Sequence, residues 1–421
     1  MLGLTLALRL AQRGNNVTII EAAPGLGGLT ASFTRAGITW DRFYHVIATS
    51  DTHLLGLLDE LGLAGDVTWG TTKTNFYDGA ELYPLNDVFD YLRLPALSAM
   101  DKARLGLNIL YGSLLTDGVA LEQQNVEDWL VRWSGRRTFE KLWRPLLRAK
   151  LGDNFKHASA AYIWAIIRRF YGARHGQSKT ELFGYVRGGY STVIDAMVSA
   201  LEKHGVALEC GSAVEDVSSS PTGITVATSA GVRTFDQVAV TFASPIAARI
   251  CAGLEPGERS RHAEIRYQGV LCTSLLLKRP LGGAYLTYIT DERIPFTTVI
   301  EMSSLVDRAR LDGHHLVYLP KYVPSWDPLL DASESDIEAL FLPGIAQMFP
   351  DFTPSDIVAV HHARTRYVTA ISTLNYSAML PPMATSVPGL YICNSSHIVN
   401  ASLSVTETID LANRAAARID G

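Results

Sequence analysis

Glu21 ends a short β-branched run, Val17 to Ile20, and lies 18 positions after Gly3. Leu2 to Arg13 reads as a helix with two adjoining apolar rows, Leu2, Leu6 and Leu10 beside Leu4, Leu8 and Ala11, stopped by Gly14 and Asn15. Helix, tight turn, buried strand and terminal acid make up the second half of a βαβ dinucleotide unit. In that unit Gly3 takes the place of the last glycine of G-x-G-x-x-G, where a side chain would hold the helix off the first strand. Glu21 would accept hydrogen bonds from ribose hydroxyls; a solvated strand-end carboxylate is the bland alternative. Ala22, Pro24, Gly25, Gly27, Gly28 and Leu29 follow at once, a turn whose glycines permit backbone shapes that other residues avoid.

Four further side chains could do chemistry. His45 closes W-D-R-F-Y-H as a candidate proton-transfer group, although a histidine among aromatics is more commonly a core residue. Lys150, in R-P-L-L-R-A-K-L-G (Arg144 to Gly152), brings positive charge with Arg144 and Arg148 into a Trp- and Leu-rich stretch, or else belongs to a solvated basic face. Glu301 ends the strand pattern T-T-V-I-E, and an edge carboxylate explains it almost as well. Asn394 ends the buried run Leu390 to Cys393. Tyr44, Tyr376 and Tyr391 are candidates for an apolar cage, with core packing as the commoner alternative. No Ser-His-Asp arrangement is evident. The pairs His314-His315 and His361-His362 are adjacent, which on a strand sends the rings to opposite faces, so no catalytic metal is expected.

The elements that must hold these groups fall into two lobes. The length of 421 residues suits a large two-lobed α/β protein, and 47% hydrophobic with 19% charged residues is ordinary for a globular enzyme. A net charge of -5 gives no reason to expect nucleic acid. Cys210, Cys251, Cys272 and Cys393 are scattered, as reduced thiols are. No apolar run reaches the roughly 18–20 residues that span a bilayer. The longest, Ala103 to Leu115, reads as a buried or interfacial helix. The opening M-L-G-L-T-L-A-L-R-L lacks a basic n-region and a cleavage site, so a cytoplasmic protein is expected, with peripheral membrane contact left open.

The pattern predicts a Rossmann-type cofactor domain (1–65, 184–264 and 367–421) interrupted by two insertions (66–183 and 265–366) that form an α+β substrate domain. The first insertion reads as largely helical. The second reads as strands (LCTSLLLK, AYLTYIT, TTVIEM, HLVYLPKY) followed by a helix, Glu334 to Met348. Gly188 and Gly189 open a helix that ends at Gly205 and leads by a strand to Val214. A hairpin (Ile224 to Ala227, Val232 to Phe235), a buried run (Val238 to Val240) and a terminal helix from about Val405 complete the cofactor domain.

The order of these motifs, from E-A-A-P-G-L-G-G-L-T-A-S-F through Y-V-R-G-G-Y to P-G-L-Y-I-C-N, resembles the superfamily of protoporphyrinogen oxidases, amine oxidases and phytoene (carotenoid) desaturases. That resemblance covers nearly the whole chain and implies FAD and hydride transfer from an apolar or amphipathic small molecule to flavin N5. It implies that Ala22, Gly27, Gly28 and Leu29 run beside the flavin and that His45 lies near its ring. It further implies that Val214 meets adenine, that Asn394 replaces the Asp of many relatives at the ribitol chain, and that Leu403, Ser404 and Val405 aim a helix N-terminus at the pyrimidine. Related amine oxidases keep a lysine near N5 through a water, and Lys150 is the candidate here. The first strand and first two glycines of the fingerprint are missing. They are expected upstream of Met1; the alternative is a chain without the phosphate cradle. Two other activities share the framework: sugar-nucleotide mutases, where Arg144 and Arg148 would clamp a diphosphate, and flavin-free GDP-dissociation inhibitors. Substrate, electron acceptor and oligomeric state are not read from the sequence.

Overall fold

The computed structural model describes residues 1–86, 90, 93, 97–172 and 182–420. Parts of the first expected insertion (87–89, 91–92, 94–96 and 173–181) thus lie outside the described residues.

The opening helix, Leu2–Gln12, carries out the two-row pattern of its leucines. Leu2, Leu6 and Leu10 pack on the terminal helix Val405–Ile419, while Leu4, Leu8 and Ala11 face the helix Tyr190–Lys203. A Cβ on Gly3 would stand 3.4 Å from the Thr241 hydroxyl, in van der Waals contact with it. Two pairs of parallel strands lie under these helices. Thr18–Ile20 runs beside Ala207–Glu209, and Val238–Val240 beside Leu390–Ile392. Among the described residues the two pairs are not hydrogen-bonded to each other, so the expected Rossmann sheet is present as two parallel halves.

The second lobe centres on a seven-stranded sheet. Its order is Ile357–Ala370, Tyr267–Leu277, His315–Pro324, Thr298–Glu301, Leu286–Ile289, Thr74–Tyr77 and Leu82–Pro84. Both expected insertions contribute, joined where Leu286 pairs in parallel with Thr74. All eleven residues of Tyr267–Leu277 are buried, because both faces of that strand are covered. Leu271 and Leu275 meet Ile337, Phe341 and Ile345 of the helix Glu334–Met348, which starts at the Ser333 cap. Val270, Cys272 and Leu276, on the alternate face, meet Trp40, Tyr185 and Tyr318. Ile357–Ala370 is a strand that the sequence reading did not foresee, and it crosses the boundary expected after residue 366.

The helices between Ala99 and Gly172 close around Trp129, Phe139, Trp143, Leu147 and Trp164. One π-helical turn, Phe139–Trp143, precedes the helix Arg144–Leu151, which starts on Pro145 and stops at Gly152 with φ 52°. That helix packs on the sheet strand His315–Pro324. This contact brings Lys150 to the junction of the lobes.

Candidate functional site

The glycine turn behaves as its composition demands. Gly27 and Gly28 have φ of 120° and 59°, and a Cβ on Gly27 would stand 3.0 Å from the Ala31 Cα. Thr30 ties the turn by donating its hydroxyl to the Gly27 carbonyl at 2.9 Å. Glu21 Oε1 accepts the Ala23 N–H at 2.8 Å, and its backbone carbonyl accepts the Ser212 N–H at 2.9 Å. Ser212 is buried with no partner for its hydroxyl among the described residues, and Val214 opens the next strand two residues on. Glu21 and Ser212 therefore meet through the backbone, with Val214 two residues on and Ala22, Gly28 and Leu29 in the turn that follows Glu21.

A second cluster gathers around residues 40 to 46, which span the two lobes. Trp40 donates its indole N–H to Ser274 at 3.0 Å on the sheet side. The buried Asp41 carboxylate accepts the Tyr190 N–H at 3.0 Å and the Tyr185 hydroxyl at 3.2 Å, while its own carbonyl accepts the Tyr318 hydroxyl at 2.7 Å. Tyr44 and His45 then point apart. Tyr44 shares a 2.8 Å hydrogen bond with the Tyr322 hydroxyl, and Lys150 Nζ donates to Tyr44 Oη at 3.1 Å. The Lys150 ammonium also sits over both rings, 4.6 Å from the Tyr322 centroid and 5.7 Å from that of Tyr44. Burial raises the pKa of both tyrosines, so each phenol remains protonated and able to donate. Among the described residues no carboxylate stands within 4.0 Å of Lys150 Nζ, so its charge has no acidic partner there.

His45 faces the cofactor lobe, its ring centroid 4.9 Å from that of Tyr190. Its Nδ1 is 2.9 Å from the Phe43 carbonyl, an acceptor, so Nδ1 carries the proton and Nε2 is left as the acceptor. Burial lowers its pKa to about 4. The neutral ring can accept a hydrogen bond at physiological pH but cannot serve as an acid.

Other expected site residues are placed differently. The buried Glu301 carboxylate accepts from the backbone N–H groups of Leu281, Gly282 and Gly283 at 3.3, 3.2 and 2.9 Å. It clasps a turn, and no contact brings it to Lys150 or His45. Replacing it by Gln should lower stability by about 1–2 kcal/mol, by turning an amide N–H toward those donors, and leave kcat within about twofold. Thermal melts and steady-state rates of the variant decide this; a hundredfold drop in kcat would restore the catalytic role.

Asn394 is buried and internally saturated. Its Oδ1 accepts from the Tyr267 hydroxyl and from the N–H and hydroxyl of Ser396, and its Nδ2 donates to the Phe242 carbonyl and the Ser244 hydroxyl. The expected cofactor contact is thus a structural hub, because its lone pairs and protons are spent inside the protein. Ser404 caps the terminal helix by accepting the Glu407 N–H, and Leu403 and Val405 flank it, all three half-buried. Tyr376 donates to the Ser396 carbonyl at 2.8 Å and Tyr391 packs beside Cys393, so neither joins Tyr44. Arg144 lines a surface hollow with Asp78, Lys141 and Glu292. The sequence reading missed Tyr322 and Asp41. Tyr318 and Tyr322 lie four apart on one strand, a spacing that puts both on one face and could have revealed them.

Asp41 also makes stability depend on pH. Burial, opposed by its bonds to Tyr190 and Tyr185, raises its pKa from 3.8 to about 7. Between those values the native state holds a proton that the unfolded chain releases, so this residue's contribution falls as pH rises from about 4 to 7. His45, lowered to about 4, works the opposite way over an overlapping window. Denaturant melts of wild type and Asp41→Asn should therefore diverge with rising pH, the wild type losing stability relative to the variant; parallel curves would contradict the assignment.

Comparison with known proteins places this geometry. The family described as flavin containing amine oxidoreductase matches residues 2–420. The mitochondrial protoporphyrinogen oxidase of Nicotiana tabacum is 24% identical over 188 residues, 43% of this chain, and the match spans only 37% of that curated relative. Among solved structures, a protein provisionally assigned as protoporphyrinogen oxidase from Exiguobacterium sp. 255-15 superposes with a TM-score of 0.77 at 15% identity, covering 100% of this chain and 96% of that one. Putrescine oxidase bound to putrescine superposes at 0.75 and 17% identity, over 99% and 96% of the two chains. These structural likenesses are of fold.

Proposed function

Since the chain belongs to the family of flavin containing amine oxidoreductases, we propose that it is an FAD-dependent oxidoreductase oxidising an apolar or amphipathic small molecule at the Lys150–Tyr44–Tyr322 cluster. The observation that carries this reading is the meeting of that cluster with the segment 40–46, which is anchored to both lobes.

The residues present fit FAD. Among the described residues the second carboxylate oxygen of Glu21 accepts no hydrogen bond, and the hydroxyl of Ser212, whose N–H meets the Glu21 carbonyl, is buried without a partner. Such atoms suit the hydroxyl-rich end of a dinucleotide. A Cβ on Gly28 would meet nothing within 4 Å, so that turn has open space beside it. Glu21, Ala22, Gly27, Gly28, Leu29 and Val214 would hold one end, and Leu403 to Val405 with the N-terminus of Val405–Ile419 the other. Bound FAD supplies the capacity to accept a hydride from a substrate C–H bond.

The protein's own groups position and polarise. Tyr44 and Tyr322 offer ring faces to an apolar substrate, and Lys150 holds both phenols through one hydrogen bond and two ring contacts. Lys150 Nζ donates to the Tyr44 hydroxyl, which lies 2.8 Å from that of Tyr322, so the cation is held beside two neutral phenols. His45 Nε2 accepts a hydrogen bond on the cofactor side. The test is anaerobic mixing of FAD-loaded protein with a panel of apolar amines, alcohols and reduced cyclic compounds. Bleaching of the oxidised flavin by at least one class, reversed by air, is expected. Flavin that stays oxidised with every class, and that instead requires prior reduction to turn over a nucleotide sugar, would replace this reading with a mutase.

A further inference from the structure

We infer that Arg169 is a positioning residue for the cofactor: from the helical lobe it fixes the loop 398–404 and, through it, the N-terminus of Val405–Ile419, a conclusion that rests on the assignment of that terminus to FAD. Arg169 lies in the last turn of the helix Ala160–Gly172, whose Trp164 belongs to the core of the helical lobe. Its guanidinium leaves that lobe. Nη1 donates to the Ser402 hydroxyl at 3.2 Å, and Nη2 donates to Asp51 Oδ1 at 3.5 Å. Ser402 stands in the loop ahead of the terminal helix, and Asp51 is the N-cap of the helix Thr52–Glu60. One side chain thus reaches two segments of the cofactor lobe, 233 and 118 positions away.

Those two segments also meet each other, where the terminal helix starts. The Leu54 N–H donates to Thr406 Oγ1 at 3.2 Å, and Ser404, two residues after Ser402, caps the terminal helix by accepting the Glu407 N–H. The loop between has few ties of its own. Among the described residues the bond from Arg169 is the one side-chain hydrogen bond made to residues 399–403. Asn400 takes a left-handed φ of 57°, and its Oδ1 is buried without a partner among the described residues. The helical lobe supports this loop sterically as well. A Cβ on Gly118 would stand 2.5 Å from Trp164 Cζ3 and 3.0 Å from Asn400 Cγ, so only a glycine lets the three pack together. Packing sets how near the loop comes, and Arg169 supplies the directed bond that sets where its end points.

Charge gives Arg169 a second effect. The acids around the start of the terminal helix are Asp51, Glu407 and Asp410. Asp410 has Arg414 at 2.9 Å and the His53 ring at 3.5 Å. The buried Asp51 accepts the Ala48 N–H at 2.8 Å, and among the described residues Arg169 is the one cation within 4.0 Å of it. Burial raises the pKa of Asp51 and of Glu407, and the charge of Arg169 opposes the rise in both. With Arg169 in place the positive end of the helix dipole is not cancelled by an uncompensated carboxylate. Without it, a buried acid stands alone beside the terminus assigned to FAD. Reduced flavin, which carries more negative charge than oxidised flavin, is favoured by the first arrangement and disfavoured by the second.

The test compares reduction potentials and FAD affinities of the full chain. Arg169→Met should weaken FAD binding about tenfold and shift the balance of reduced and oxidised flavin about tenfold toward oxidised, a fall of about 30 mV for a two-electron couple. Arg169→Lys keeps the charge and should hold the balance within about twofold of wild type. Asp51→Asn keeps an oxygen for the Ala48 N–H and leaves the Arg169 cation unopposed, so it should shift the balance the other way, toward reduced flavin. In the flavin-free chain, amides of 399–404 should exchange with deuterium at least about tenfold faster in Arg169→Met than in wild type, with those of 126–134 unchanged. Potentials within about twofold of the wild-type balance in both Arg169→Met and Asp51→Asn would overturn the inference and leave Arg169 a fastening between lobes. A folded wild type that keeps no FAD would instead overturn the assignment of the helix terminus to the cofactor, and the role of Arg169 with it.

Discussion

Lys150→Met is expected to lower kcat by roughly 100-fold while the variant keeps its fold and its flavin. Methionine retains the length of the stem, so the packing of Arg144–Leu151 against the sheet survives. What disappears is the hydrogen bond to Tyr44 at 3.1 Å, the cation over two tyrosine rings, and the one group of the cluster able to bear positive charge. Burial keeps both phenols protonated and neutral, so neither can supply the positive charge that Lys150 brings. The half-buried amine has no acidic partner within 4.0 Å among the described residues, which removes the ion pair as a reason for its presence. Rates measured with any substrate that bleaches the flavin check this. A kcat within twofold of wild type would reduce Lys150 to a packing residue, and Tyr44→Phe, which keeps the ring and removes the hydroxyl, should show a smaller loss in the same direction.

The largest effect on stability is expected from Asn394→Ala, a loss of about 3–5 kcal/mol. The side chain joins four segments: the Phe242 carbonyl after one parallel strand, Ser244 at the start of the next helix, Tyr267 at the head of the sheet strand, and Ser396 in its own loop. Alanine leaves the Tyr267 hydroxyl, the Phe242 carbonyl and the Ser396 N–H without these partners. Asn394→Asp should also destabilise, since a carboxylate oxygen would face the Phe242 carbonyl where an amide now donates at 2.9 Å. Chemical denaturation of both variants measures the effect; a loss below about 1 kcal/mol would mean that the network is satisfied in other ways.

These two residues also show how far the sequence could be read. Elements with a clean period were legible: the leucine rows of the first helix, the alternating strands of the sheet, the helix Glu334–Met348 and the terminal helix at Val405 all stand where their patterns put them. Positive-φ glycines 27 and 28 were legible for the same reason, since their need is local. Partnerships across the chain were not. Lys150 meets Tyr44 across a separation of 106 positions, and a basic residue in a helix gives no sign of which ring it will cover. Glu301 reads as a strand-end acid either way, because the turn at 281–283 that claims its oxygens closes only in three dimensions. Asn394 looked like a substitute ligand for the same reason, since Phe242, Ser244 and Tyr267 reach it from distant segments. The strand Ile357–Ala370, with His361 stacked on Phe33 and His362 bonded to Thr273, escaped notice as a strand because charged and aromatic residues interrupt its alternation, although the opposite facing of the two histidines was foreseen.

The central claim is that Glu21, the glycine turn after it and the N-terminus of the terminal helix hold FAD, and retention of the cofactor tests it most directly. Purified protein would be incubated with excess FAD, passed over a desalting column and scanned in the visible range, beside a Glu21→Ala variant treated alike. A protein fraction with oxidised-flavin absorbance near one equivalent, reduced by at least about tenfold in affinity in the variant, is the result predicted. Flavin that elutes entirely with the small molecules, from a wild-type protein shown to be folded, would contradict the claim.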